Sequence, residues 1–130
     1  MMAIEPLSLH ASSPGLDPEA LARLTELDPT GENKLLERVL RAFQSSAARL
    51  MPQLEAAHLS GDVATVRLGA HTLKSSSASI GALGLSQVCA QVEALIRAES
   101  GESLDPLLHG MRGALASALS AVQRLLGSPA

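Results

Sequence analysis

Within the run Arg67-Leu68-Gly69-Ala70-His71-Thr72-Leu73-Lys74-Ser75-Ser76-Ser77-Ala78, one imidazole stands between two cations and a series of very small side chains. On a helix, residues three and four apart share a face. His71 therefore lies beside Lys74 and Ser75, with Arg67 one turn before it and Ala78 two turns after. A neutral imidazole is a nucleophile. Neighbouring cations disfavour adding a proton to it, because like charges repel. The same cations favour the charge of about -2 that a phosphoryl group brings. Small residues around the ring leave room for another macromolecule. This is the chemistry of an exposed nucleophile that meets a second protein and carries an anion.

Blander readings stand beside this one. A lone helical histidine is more often a surface residue or a satisfied core residue. A run of small side chains often serves close helix packing. That account suits Ser76 and Ser77, which lean toward the interior, better than Ser75 and Ala78, which flank His71 on the outer face. Other chemistry finds little support. His10, His58 and His109 fall on separate segments without zinc-ligand spacing. No glycine-rich loop ending in Lys and Ser or Thr is present to cradle ATP. No Ser-His-acid set is suggested either, since the serines near His71 share its helix.

Composition narrows the partners. A chain of 130 residues fits one domain. At that size about two thirds of the unfolded surface is buried on folding, so no disulfide staple is needed. Cys89 is the single cysteine, which fits a reducing compartment. The formal net charge of -3 argues against nucleic acid as the main partner. Phe43 is the only aromatic residue, so stacking platforms for bases are missing. No apolar run approaches the roughly 20 residues that cross a bilayer. Met1 to Gly15 has neither a basic start nor a long apolar stretch, and its Ser, Pro and Gly content reads as a flexible lead-in over residues 1–15.

The elements that must position His71 are all helical. Ala, Leu, Glu, Gln and Arg dominate, and no segment alternates with period two. A short first helix is expected after Asp17 as N-cap, with Pro18 at its first position and a stripe of Leu21, Leu24 and Leu27. The turn Asp28-Pro29-Thr30-Gly31 ends it. A second helix is expected over about Glu32 to His58, kinked at Pro52. The third is expected from Asp62 as N-cap to about Ile80, with Val63, Val66, Ala70, Leu73, Ser77 and Ile80 inward and Gly81 stopping it. The fourth is expected over about Leu83 to Glu99, with Leu95 among its inward residues. The fifth is expected over about Leu104 to Leu126. Short links imply antiparallel neighbours. The expected fold is all-α: an up-down-up-down four-helix bundle with a short N-terminal capping helix, as one domain over residues 16–127.

The segment from Ala70 to Ala82, with His71, Lys74, Ser75, Ser76, Ser77 and the glycine Gly81 at the helix end, closely resembles the H-x-x-K-G-S-S signature of histidine-containing phosphotransfer (HPt) domains. The resemblance runs from Leu16 to about Leu126 and includes Leu-Asp-Pro-Glu at its start, the proline inside the second helix and the helix order. It implies a carrier without an ATP site, not an enzyme that turns over. His71 would accept a phosphoryl group from a receiver-domain aspartate and pass it to another receiver. Lys74 would support the phosphoryl oxygens. Glu93 falls where a polar residue commonly orients the ring; as a sequence feature it reads equally well as a solvated helix carboxylate. The implied docking face holds Arg67, Ser75 and Ala78. No cofactor is implied on this chain, and magnesium would belong to the receiver. The implied setting is a monomer in the bacterial cytoplasm, with no nucleic acid and no membrane. Ser75 departs from the family's usual glycine and puts transfer rate and partner choice in question. Two other functions keep the same bundle: a module that sequesters a partner without transfer, and the phosphoacceptor domain of a chemotaxis-type kinase.

Overall fold

The computed structural model describes residues 16–127. The lead-in expected over residues 1–15, His10 included, lies outside the described residues. Within them the regular structure consists of helices α1 (Pro18–Glu26), α2 (Leu35–Ser60), α3 (Val63–Ser79), α4 (Leu83–Ala98) and α5 (Asp105–Leu126). Helix α3 packs against α2 and α4, α5 packs against α4 and α2, and α1 rests on α2.

Cross-helix pairs give the direction of each helix. Gln44 donates to Gln123, Arg112 to Glu55, and His58 meets Asp105, so numbers rise along α2 as they fall along α5. His71 meets Glu93, and the Ser86 hydroxyl donates to the Lys74 carbonyl, so α3 and α4 are antiparallel too. One continuous core joins the helices, with Leu40, Phe43, Leu54, Leu73, Leu85 and Met111 among its members. Each buried side chain of this size contributes roughly 1.5–3 kcal/mol of transfer free energy.

Helix boundaries follow local chemistry, in places differently from the sequence expectation. Helix α2 begins at Leu35 and not near Glu32, because Lys34 adopts a left-handed conformation with φ 53°. The buried Asp28 carboxylate reaches forward instead and accepts from the Leu35 backbone N–H at 3.1 Å and from that of Asn33 at 3.3 Å. Orphan donors at the start of α2 are thus satisfied from the preceding turn. Helix α2 runs unbroken through Pro52 to Ser60, with Pro52 on its exposed side. Asp62 caps α3 as expected by accepting from Thr65 N–H at 3.2 Å.

Asp17 occupies the N-cap position of α1 without a side-chain cap bond. Its backbone N–H donates to the Gly81 carbonyl at 2.8 Å, which ties the start of α1 to the α3–α4 turn. Gly81 has φ +82°, and a Cβ there would meet the Asp17 backbone nitrogen at 2.5 Å. The position therefore needs glycine for its conformation and for the close approach.

The apolar stripes of the sequence run past the point where neighbouring helices cover them. Leu27 and Val63 are exposed, and Leu95 is only half-buried. Periodicity marks a face, but it does not mark where the neighbouring helix stops covering it. Among the described residues, no helix is long and apolar enough to cross a membrane.

Candidate functional site

Helix α3 buries Val66, Gly69, Ala70, Leu73 and Ser77. His71 comes one position after Ala70, so its side chain turns to the rim and remains 58% exposed. Gly69 lets α3 approach α2 just before it; a Cβ there would meet Leu54 Cδ1 at 3.1 Å. Arg67, Ser75 and Ala78 are exposed on the same helix, and Lys74 is half-buried. The serine run is largely self-satisfied. Ser76 donates to the Leu73 carbonyl, Ser77 to those of Leu73 and Lys74, and Ser79 to that of Ser75. These hydroxyls fold back onto their own helix, and the exposed side chains of Ser75 and Ala78 are small, so the surface near His71 is low.

Glu93 arrives from α4, next to the buried Val92. It is not a solvated carboxylate: its side chain is 9% exposed. Its Oε2 lies 3.0 Å from His71 Nδ1, and its Oε1 lies 2.6 Å from Lys74 Nζ. The second contact is one of charge, without the alignment of a well-formed hydrogen bond at Oε1. The Lys74 ammonium, and then the His71 ring, hold the Glu93 carboxyl below its usual range against the opposing effect of burial. An ionised carboxylate only accepts hydrogen bonds. Nδ1 must therefore carry the proton that bonds it. In the neutral ring the lone pair is then on Nε2. Cys89 lies one turn before Glu93, fully buried. Burial, and next the charge of Glu93, push its thiol up to about 12.

The structure thus brings His71, Lys74 and Glu93 into one contact group and leaves Arg67, Ser75 and Ala78 around it. Sequence reasoning missed that Lys74 is bound to Glu93, since the pairing spans two helices. It also missed Leu68, which is 63% exposed one turn before His71. The available signal was its spacing of three from the histidine, off the buried stripe.

A second histidine–carboxylate pair lies at the far end of α2. His58 Nε2 is 2.8 Å from Asp105, and Arg112 is 2.8 Å from Glu55, beside a cleft of about 410 Å3. Among the described residues, no three His, Cys, Asp or Glu side chains form a group able to hold a metal.

Comparisons with known proteins agree with the fold. The family model of the Hpt domain matches residues 38–125. A solved structure, histidine-containing phosphotransfer protein B (HptB) from Pseudomonas aeruginosa PAO1, is similar with a TM-score of 0.78 and 24% identity. The match covers 88% of this chain and 96% of that one. No curated protein matches.

Proposed function

Because the chain belongs to the Hpt domain family, whose members carry phosphoryl groups in phosphorelays, we propose that His71 Nε2 is the atom that takes up the phosphoryl group here. One observation supports this above others: Nδ1 is engaged by a buried carboxylate while the ring is 58% exposed. The nucleophilic nitrogen then faces outward in one tautomer, oriented from below.

The reaction is an in-line displacement at phosphorus. The Nε2 lone pair forms a P–N bond as the acyl phosphate P–O bond of a receiver aspartate breaks, and the aspartate leaves as a carboxylate. The ring becomes positively charged, facing Glu93. Reversal onto a second receiver returns the neutral imidazole with its Nδ1 proton in place. Glu93 is the positioning residue of this scheme. The chain acts as a carrier, not as an enzyme with its own ATP site. A single carboxylate whose two oxygens already serve Nδ1 and Nζ does not fit a magnesium ion, which needs several oxygen ligands. In this reading any magnesium belongs to the receiver.

Partners are receiver domains, docked on the face of Arg67, Leu68, Ser75 and Ala78. An exposed leucine one helical turn before His71 suits the apolar part of a small transient interface. The bundle and its capping helix act as one domain over residues 16–127, as a monomer in the cytoplasm beside its receivers. The test offers the chain a phosphorylated receiver and, separately, a kinase core with ATP. Label should reach the chain from the receiver. Label only from the kinase would assign it to the chemotaxis type, and receiver binding without label would leave a sequestering module.

A further inference from the structure

The two ends of the bundle are finished differently. At one end α1 covers the core: Leu16 and Ala20 are buried, and the Asp17 N–H donates to the Gly81 carbonyl. At the other end lie the turn from α2 to α3 and the link from α4 to α5, and among the described residues no further helix covers them. Val63 stays 46% exposed there, and Leu95, Ile96 and Leu104 are half-buried. Two clefts of about 340 and 420 Å3 open at this end and share Leu95 and Glu102, so they form one trough along the last turns of α4. Its rim is acidic. Glu99 and Glu102 stand on it without an ion pair among the described residues. Between Lys74 and Arg112 the one Lys or Arg is Arg97, and it lines neither cleft. Arg112 itself is paired with Glu55.

Glu99 breaks two local rules at this position. It caps α4 in the left-handed conformation, φ 51°, a place that ordinarily falls to glycine or asparagine. It also sets a carboxylate at the negative end of the helix dipole, where cations are favoured. Both departures cost stability, and a sequence that breaks its local rules does so where function is sought. We propose that this trough docks a basic amphipathic helix of another protein, with apolar residues on Val63, Leu95, Ile96 and Leu104 and Lys or Arg residues on Glu99 and Glu102. A helix satisfies its own backbone groups. An extended peptide would need a sheet edge to pair with, and the described residues contain no strand.

Other occupants lack this complementarity. A second copy placed end to end would set the acidic rim against itself, like charge on like. The segment before Leu16 joins the described residues at the α1 end and contains no Lys or Arg. Helix α5 runs away from the trough for 22 residues, about 33 Å of rise, so the three residues after Gly127 start at the opposite end. An anionic membrane surface would meet the same repulsion as a second copy. The trough also stands apart from the histidine: on α3, Val63 precedes His71 by eight residues, about 12 Å of rise. The proposal is therefore independent of the reading of His71 as phosphoacceptor.

The test mixes the whole 15N-labelled chain with a synthetic helix-forming peptide of about 14 residues, with leucines at i, i+3, i+4 and i+7 and lysines elsewhere. A second peptide has the same composition with its leucines spread around the helix, and a third carries Glu in place of Lys. By calorimetry the first should bind about tenfold tighter than either of the others. It should shift the amide signals of Val63 and of residues 94–107. Glu99→Gln combined with Glu102→Gln should weaken binding about tenfold at low salt and flatten its salt dependence. Val63→Gln should weaken it severalfold, with circular dichroism as the fold control and Val63→Thr in its place if that variant does not fold. Glu99→Gly should also weaken binding, yet raise the melting temperature by a few degrees, because glycine relieves the left-handed cap. A residue kept for structure alone would lose stability instead. Equal binding of the three peptides, amide shifts centred on the His71 face, or binding unmoved by the paired glutamate changes would overturn the proposal. So would self-association of the chain alone, seen by sedimentation and abolished by Val63→Gln, which would give the trough to a second copy.

Discussion

His71 and His58 each reach a carboxylate on a neighbouring helix at hydrogen-bond distance, yet the two pairs are inverted. At His71 the ring is 58% exposed and its acid 9%; at His58 the ring is 28% exposed and its acid 77%. The bonded nitrogen is inverted too: Nδ1 at His71, Nε2 at His58. A buried acid under an exposed ring leaves Nε2 free and fixes its direction. An exposed acid over a half-buried ring covers Nε2 and joins two helix ends. A histidine facing a carboxylate thus serves, in the proposed function, as the reaction centre in one place and as a staple in the other. The contact distances are similar and the cleft lies beside the His58 pair, so the direction of burial is the difference that bears on Nε2.

The largest effect tests that distinction directly. His71→Gln should abolish phosphoryl transfer, and His58→Gln should leave it at the parent rate, as read from label on the chain after mixing with phosphorylated receiver. Loss of label in both would break the contrast. Next come the acids. Glu93→Ala should slow transfer about tenfold or more, because an unaimed ring spends less time in line with the acyl phosphate. Asp105→Ala should not change the rate, although it removes the His58 contact. Equal slowing by both would make the acids generic supports.

Smaller effects concern the docking face. Ser75→Gln should weaken receiver binding and transfer severalfold while circular dichroism stays unchanged. Ser75→Gly should transfer at least as fast as the parent, at a cost of roughly 0.4 kcal/mol in helix stability. If Ser75→Gln binds and transfers like the parent, the interface ends short of this turn.

The smallest effect is on acid stability. The Glu93 carboxyl is held below its usual range first by Lys74, and that of Asp105 first by the hydrogen bond from His58. Groups depressed in the folded state contribute stability that is complete above their unfolded values and is lost as pH falls through the folded ones. The melting temperature should therefore fall between about pH 5 and about pH 3. Glu93→Gln should flatten that fall more than Asp105→Asn, since exposed pairs are weakened by solvent. The reverse order would mean that the staple stabilises more than the site.

Much of this was legible in sequence because it is local. The spacing from Arg67 to Ala78 places the outer face of α3, and Asp62 and Gly81 mark its ends, since caps and helical neighbours need only a few consecutive residues. Glu93 was nameable by its position but not by its burial, which depends on how α4 turns toward α3. The Lys74 contact was illegible for the same reason. Leu27 and Val63 misled because a stripe continues in sequence after its cover ends in space. Asp28 reads as a turn residue in sequence, and its capping of Leu35 across seven positions depends on the left-handed Lys34 between them.

Cys89 has a further use that follows from its position. It is the chain's one thiol, wholly enclosed by the bundle and pushed up to about 12. Alkylating reagents attack the exposed thiolate, so native protein offers them nothing until α4 lifts away. The rate at which a maleimide is consumed in plain buffer then acts as a stopwatch for breathing motions of this helix. No dye or denaturant has to be introduced, and each tick belongs to a single known atom one turn beneath Glu93.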